Sequence, residues 1–231
     1  MIKFIKKIFI GPGMDNHGNK DSPIKENFRI LKEIWNDKES ESYGIERVFK
    51  LFLNLIQLVF PTIYIRLLFK GLRTGSIRFI IDVYLILKLV LPILVLYLSW
   101  YKSVTVIIIN VYLMLETGFT ILGLIFLSES KSSKISYKRS ILILIINYLQ
   151  VTLGFSLIYA GYDLLNKRLT PFEAVYYSFV TMTTLGYGDY FPVSDAGKLM
   201  VILQLIVFIL FVVLFINYFS HKLNIRKKEL D

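Results

Sequence analysis

Cysteine is absent from the 231 residues, which excludes disulfides and thiolate metal sites and leaves the redox compartment open. Histidine is scarce: His17 and His221 are too few and too far apart in sequence for a metal cluster. Charge is scarce as well, at 19% of residues against 55% in the apolar set. Soluble domains carry about 25% charged residues, and disordered chains lack apolar ones, so neither class fits. No nucleophile–base pair, phosphate loop or metal-ligand spacing is present, so no enzyme and no cofactor is expected. What is abundant is apolar length, with a mean hydropathy of +0.59. The 27 basic residues outnumber the 17 acidic ones, for a net charge of +10. Such a balance can serve nucleic acid, but here the charges sit between long apolar runs, as membrane flanks do. The reading is an all-α integral membrane protein.

A spanning helix needs about 20 apolar residues to cross roughly 30 Å of hydrocarbon. Four segments qualify: 77–99, 104–127, 141–162 and 198–219. The loop after the second carries Lys131, Lys134, Lys138 and Arg139, and the tail is basic. Arg66, Lys70, Arg73 and Arg78 precede or open the first, whereas the linker between the first two holds only Lys102. By the positive-inside bias this predicts both termini in the cytoplasm of a multi-pass plasma-membrane protein. Trp100, Tyr101, Tyr159 and Tyr162 then fall at the outer interface.

A further apolar segment, 48–70, carries Lys50, Asn54, Gln57, Pro61 and Tyr64 at spacings of 4, 3, 4 and 3. That predicts one polar stripe on one helix, lying in the plane of the inner surface. A spanning helix here would put its lysine-bearing start outside, against the charge bias. Both an interfacial and a membrane-inserted helix stay open. The first ten residues, MIKFIKKIFI, lack the core and cleavage site of a signal peptide. Residues 23–35 read as a short helix, within either a small cap or a linker.

The stretch 170–192, TPFEAVYYSFVTMTTLGYGDYFP, is too short to cross. Thr170-Pro171-Phe172-Glu173 forms a capping box with proline at the first helical position. The helix it starts runs about three turns and ends at Thr183-Thr184. There Gly186-Tyr187-Gly188 demands unusual backbone, and alternating glycines can turn successive carbonyls to one side. Rings of such carbonyls can replace the hydration shell of a monovalent cation.

The run Thr183-Thr184-Leu185-Gly186-Tyr187-Gly188-Asp189 resembles the signature filter of tetrameric potassium channels. Its context is similar as well: an outer helix, a capped pore helix, the filter, Pro192 and an apolar inner helix. The resemblance covers about 141–220. It implies that the carbonyls of Thr184, Leu185, Gly186 and Tyr187 coordinate dehydrated K⁺, the permeant ion, with the Thr184 hydroxyl as innermost ligand. Gly188 would complete the backbone, Thr183 would support it, and Asp189 would sit at the outer mouth. Tyr187 would point outward against the pore helix near Tyr176 or Tyr177, which would form an aromatic collar or, alternatively, face lipid. A single filter per chain implies a homotetramer.

The chain departs from the family at Leu185, where valine or isoleucine is commoner, and at Val180. Some bacterial members carry a glutamate at Val180's position that braces the filter aspartate. The inner helix also lacks the glycine hinge of many members. Ile209, Val212 and Ile216 then offer either a pore-lining hydrophobic constriction or ordinary packing.

On this reading 1–47 is a cytoplasmic segment, 48–70 the interfacial or inserted helix, and 77–127 a two-helix transmembrane region. The pore module is 141–220 and the short cytoplasmic tail 221–231. The span 104–127 has no arginine or lysine, which argues against conventional voltage gating. Lys88 lies 11 residues before Ser99 and Glu116 lies 12 after Val104, so in antiparallel helices their depths match. An unpaired charge there costs about 2.5–3.5 kcal/mol, which favours pairing, either as a staple or as a site where protonation loosens the helices. The basic cluster 66–78 is suited to topology retention or to anionic lipid. The expected function is a potassium-selective channel. A weakly selective cation channel and a non-conducting sensor or scaffold whose N-terminal region binds a partner are the alternatives.

Overall fold

The computed structural model describes residues 22–36, 44–72, 74–127 and 137–228, with side chains through 217 in the last helix. Residues 1–21, Arg73, the basic loop bearing Lys131 and Lys134, and 229–231 lie outside the described residues, as do the side chains of Lys138 and His221. The described elements are helical: α1 (Pro23–Asn36), α2 (Ile45–Ile56), α3 (Pro61–Leu68), α4 (Thr74–Tyr97), α5 (Val104–Phe126), α6 (Tyr137–Gly161), α7 (Pro171–Met182) and α8 (Asp195–Lys228). Short 3₁₀ turns at Gln57–Val59 and Trp100–Lys102 join neighbours, and one isolated bridge links Leu165 to Pro192.

Four windows of 23 residues are long and apolar enough to cross a membrane: Gly75–Tyr97, Val104–Phe126, Arg139–Gly161 and Asp195–Asn217. At 1.5 Å per residue each is roughly 35 Å long, enough for about 30 Å of hydrocarbon. Pro92 lies inside α4, a placement that membrane helices tolerate because neighbours re-satisfy the freed carbonyl. This is an all-α membrane architecture.

Contacts divide the chain into two units, 1–86 with 126–131, and 87–125 with 132–231. In the first, α1 buries Asn27, Ile30 and Ile34. Asn54 of α2 is fully buried and donates to the Asn27 carbonyl at 2.8 Å. Arg47 hydrogen-bonds the Trp35 carbonyl and lies over its ring, and Phe49 meets Phe126 edge-on at 5.1 Å.

The single helix expected over 48–70 is not found. Proline has no N–H and pushes the residue before it into extended backbone. Phe60 accordingly takes φ −96° and ψ 149°, Pro61 restarts the chain as α3, and the two pieces meet at 61°. The polar stripe is therefore divided, with Lys50 and Asn54 on α2 and Pro61 and Tyr64 on α3. Tyr64 donates back across the break to the Leu58 carbonyl at 2.7 Å. Taken as one bent span, the pair would raise the count of membrane-length elements from four to five.

In the second unit α6 is the hub. Its membrane window is 56% buried, against 17% for that of α8. Residues 151–160 of α6 are buried without interruption and carry much of the core, including Val151, Phe155, Leu157 and Tyr159. Gly154 lets α5 approach: a Cβ there would lie 2.6 Å from Met114 Sδ. Asn110 uses the closeness to donate to the Gly154 carbonyl at 2.9 Å, the small-residue packing common between membrane helices.

Tyr159 corrects the expectation that it sits at the outer interface. It is 1% exposed, packed in the core and hydrogen-bonded to Gln204. Trp100 and Tyr162 are exposed.

Candidate functional site

The site begins at the capped start of α7. Thr170 has extended backbone, its hydroxyl accepts from Glu173 N at 3.3 Å, and its own N–H donates to Glu173 Oε2 at 2.7 Å. Pro171 takes the first helical position, where its missing N–H costs nothing. The other carboxylate oxygen of Glu173 accepts from the Tyr190 hydroxyl at 2.9 Å. The Thr170 backbone N–H, the Thr170 hydroxyl and then the Tyr190 hydroxyl together hold the Glu173 carboxyl below its usual range. Tyr190 is raised in turn, chiefly by that bond to Glu173.

The far end of α7 carries the geometry that matters most. Thr183 is the C-cap, Thr184 has φ 59°, and two backbone bonds close the helix. Thr184 N donates to the Thr181 carbonyl and Leu185 N to the Val180 carbonyl, each at 3.0 Å. This is the Schellman pattern, whose left-handed position is usually glycine. Here it is threonine, at a cost of about 1–2 kcal/mol. The remaining terminal carbonyls are also bonded. Phe179 accepts from the Thr183 N–H and hydroxyl, at 2.9 and 2.7 Å, and Met182 accepts from the Tyr148 hydroxyl at 3.2 Å.

From there the left-handed conformation recurs at every second residue: Thr184 at φ 59°, Gly186 at 56° and Gly188 at 82°. Strict alternation of this kind turns successive peptide carbonyls to one side of an extended strand. A Cβ at Gly186 or Gly188 would meet nothing within 4 Å in this chain, so backbone dihedral, not crowding within the chain, selects glycine. All seven residues 183–189 are exposed, including Leu185 at 60% and Tyr187 at 67%, although Val180, Thr181 and Met182 directly before them are buried.

Aromatic support gathers on Tyr190. Its ring lies 6.2 Å from Tyr176 and 6.4 Å from Tyr177, and Tyr177 meets Tyr159 edge-on at 4.9 Å. Among the described residues no ring contact joins Tyr187 to this cluster. Desolvation first, and then the nearby Asp189, push the Tyr176 hydroxyl above its usual range. The loop behind is pinned as well, with Asn166 N donating to the Phe191 carbonyl at 3.0 Å and Val193 N to the Leu164 carbonyl at 3.2 Å.

Ile209, Val212 and Ile216 lie on the exposed side of α8. The opposite side buries Gln204, Phe211 and Leu214, with Phe211 edge-on to Tyr148 at 5.3 Å. On the other flank of α6, Lys88 Nζ is 3.0 Å from Glu116 Oε2 and 2.8 Å from Thr117 Oγ1. Among the described residues no three His, Cys, Asp or Glu side chains gather to hold a metal ion.

Sequence reading missed Tyr190, Ser178, Gln204 and Gln150. A signal existed for Gln204, the one polar residue between Lys198 and Asn217. Polar residues inside spans face protein.

Residues 141–224, covering nearly all of α6, then α7 and most of α8, match the family model described as an ion channel. Potassium channel K1 of Plasmodium berghei is 47% identical over 36 residues, 16% of this chain and 2% of that protein. A hyperpolarization-activated voltage-gated potassium channel of Methanocaldococcus jannaschii is 47% identical over 38 residues, again 16% of this chain and 18% of that protein. The chain thus matches only short stretches of these relatives. No solved structure matches it. The chain has four membrane-length helices, and the segment that carries the last two of them is similar to the ion-channel family.

Proposed function

We propose that this chain forms a potassium-selective channel in which four copies surround one pore. The observation that carries the reading is the alternation of left-handed backbone at Thr184, Gly186 and Gly188 in an exposed stretch closing a capped, buried helix. One such strand cannot encircle an ion, but four around an axis supply the stacked carbonyl rings that replace water around K⁺. The carbonyls of Thr184, Leu185, Gly186 and Tyr187 are the ligands, and the Thr184 hydroxyl adds the innermost one. Leu185 serves as well as valine would, because coordination uses its backbone. Exposure of 183–189 in the single chain is what a surface completed by neighbouring copies requires.

In this assembly α6 is the outer helix, α7 the pore helix and α8 the inner helix, and Ile209, Val212 and Ile216 of α8 face the pathway. Transport is passive, across the plasma membrane, with both termini in the cytoplasm. Voltage gating of the usual design is not part of the proposal, since α5 carries no arginine or lysine.

The test is K⁺-gradient flux through the purified chain in liposomes, against Na⁺ and against Gly186→Asp. K⁺-selective flux that disappears in the variant supports the proposal. Equal K⁺ and Na⁺ flux would replace it with a weakly selective cation channel, and no flux across a range of pH and lipid with a non-conducting scaffold.

A further inference from the structure

A polar side chain midway along a membrane-spanning helix is costly unless the protein bonds it. Gln204 of α8 is fully buried, and its amide nitrogen donates to the Ser178 carbonyl at 2.8 Å and to the Ser178 hydroxyl oxygen at 3.0 Å. Its amide oxygen accepts from the Tyr159 hydroxyl at 2.8 Å. The Ser178 hydroxyl sends its own proton to the Thr152 carbonyl at 2.6 Å. One amide therefore joins three helices, and both nitrogen contacts go to a single residue of α7. A leucine would fill similar space with none of these bonds, so packing alone does not account for an amide.

Ser178 stands one helical turn before Met182, and no flexible joint intervenes between it and the ion-coordinating stretch. The α7 helix runs on to the Schellman closure, where the Val180 and Thr181 carbonyls hold the N–H groups of Leu185 and Thr184. Between Lys198 and Asn217, α8 has neither glycine nor proline, the usual local causes of a sharp bend. A displacement of α8 at Gln204 is thus passed to α7 and on to Thr184.

We propose that Gln204 is a positioning residue that ties the pore helix, and through it residues 184–187, to the inner helix. The proposal rests on reading 184–187 as the filter. Its consequence is that α7 and the first turns of α8 move as one body. Motion of α8 that leaves the filter undisturbed is confined beyond Gln204, where Ile209, Val212 and Ile216 lie.

Gln204→Met keeps the reach of the side chain and removes all three bonds. In the full-length protein, amide hydrogen exchange over 178–185 is expected to quicken roughly eight- to twenty-fold, the scale of losing two or three membrane-interior hydrogen bonds. Exchange over 107–114 of α5 stays at the wild-type rate, and the K⁺-over-Na⁺ flux ratio falls by a similar factor. Tyr159→Phe removes only the α6 bond and leaves both readouts at wild type. The proposal is overturned if Gln204→Met speeds 107–114 as much as 178–185, if it changes neither, or if Tyr159→Phe matches it. Should Gln204→Met not reach the membrane, Ser178→Ala is the alternative: it removes the Gln204 contact to the hydroxyl and that hydroxyl's bond to the Thr152 carbonyl, and keeps the Gln204 bond to the Ser178 carbonyl. It should give the same pattern at smaller size, and a flat result overturns the proposal. A wild-type protein that passes no K⁺ defeats the filter reading, while the exchange pattern still decides the tie.

Discussion

Two polar clusters flank α6 inside an otherwise apolar bundle, and they are built from opposite chemistry. On one side Lys88 meets Glu116 and Thr117, and the Thr117 hydroxyl donates to Gln150 Oε1 at 2.8 Å. On the other, Gln204, Ser178, Tyr159 and Thr152 form a network without charge. Every Gln204 amide group is used in the neutral cluster, whereas the Gln150 amide nitrogen finds no hydrogen-bond partner among the described residues. Coulomb attraction is long-ranged and forgiving of angle, so a buried ion pair can hold two helices while leaving a neighbouring donor unmet. A neutral amide network has only short, directional bonds, so it fixes geometry more than it adds energy. The charged cluster therefore suits fastening, and the neutral one suits alignment beside a strand whose atoms must sit in register.

The largest effect should come from Lys88→Met, which strips the ammonium from a carboxyl that is 1% exposed. Thermal unfolding in detergent should show a loss of about 3–5 kcal/mol, mostly recovered by adding Glu116→Leu. A loss under about 1 kcal/mol would mean that the ion pair holds no better than an exposed one, and the contrast would collapse.

Gln204→Met should cost less, about 1–2 kcal/mol, because hydrogen bonds between membrane helices average well under 1 kcal/mol each. A larger loss than for Lys88→Met would reverse the ranking. Gln150→Leu is expected to move stability by only about 0.6 kcal/mol, since its one bond is offset by removal of an unmet donor. If it instead matched Gln204→Met, the charged cluster would be as geometrically demanding as the neutral one.

The smallest effect is one of pH and serves as a control outside both clusters. Glu173 is held below its ordinary value when folded, so its contribution is complete above that value, about 4.3. It is lost as pH falls through the lower folded value. Thermal midpoints of the wild type should therefore decline in that acid window relative to Glu173→Gln. Parallel pH profiles for the two proteins would show that the cap does not depend on the carboxylate.

Local features were legible because their physics acts within a few residues. Thr170, Pro171 and Glu173 make a capping box by spacing alone, and the four apolar lengths locate the membrane helices to within a few residues. Helix-depth arithmetic leads to Lys88 opposite Glu116, and the two lie 3.0 Å apart. The break at Phe60 was equally available, since Pro61 announces it, but the regular polar stripe masked it. Tyr159 was misplaced because an aromatic near a span end suits both the headgroup layer and the core. Only a partner distinguishes them, and here the partner is Gln204, 45 residues away.

By itself, then, the amino-acid sequence determined the membrane class, the helix lengths, the cap at Thr170 and the glycines that admit left-handed backbone at 186 and 188. Each follows from hydropathy, chain sterics or hydrogen bonds between near neighbours. Tertiary structure alone decided that Thr184 joins the left-handed alternation, that aromatic support gathers on Tyr190, and that Gln204 bonds Ser178, 26 residues away. Those outcomes depend on which faces of α6, α7 and α8 come together, and side chains far apart in the chain meet only after the helices pack.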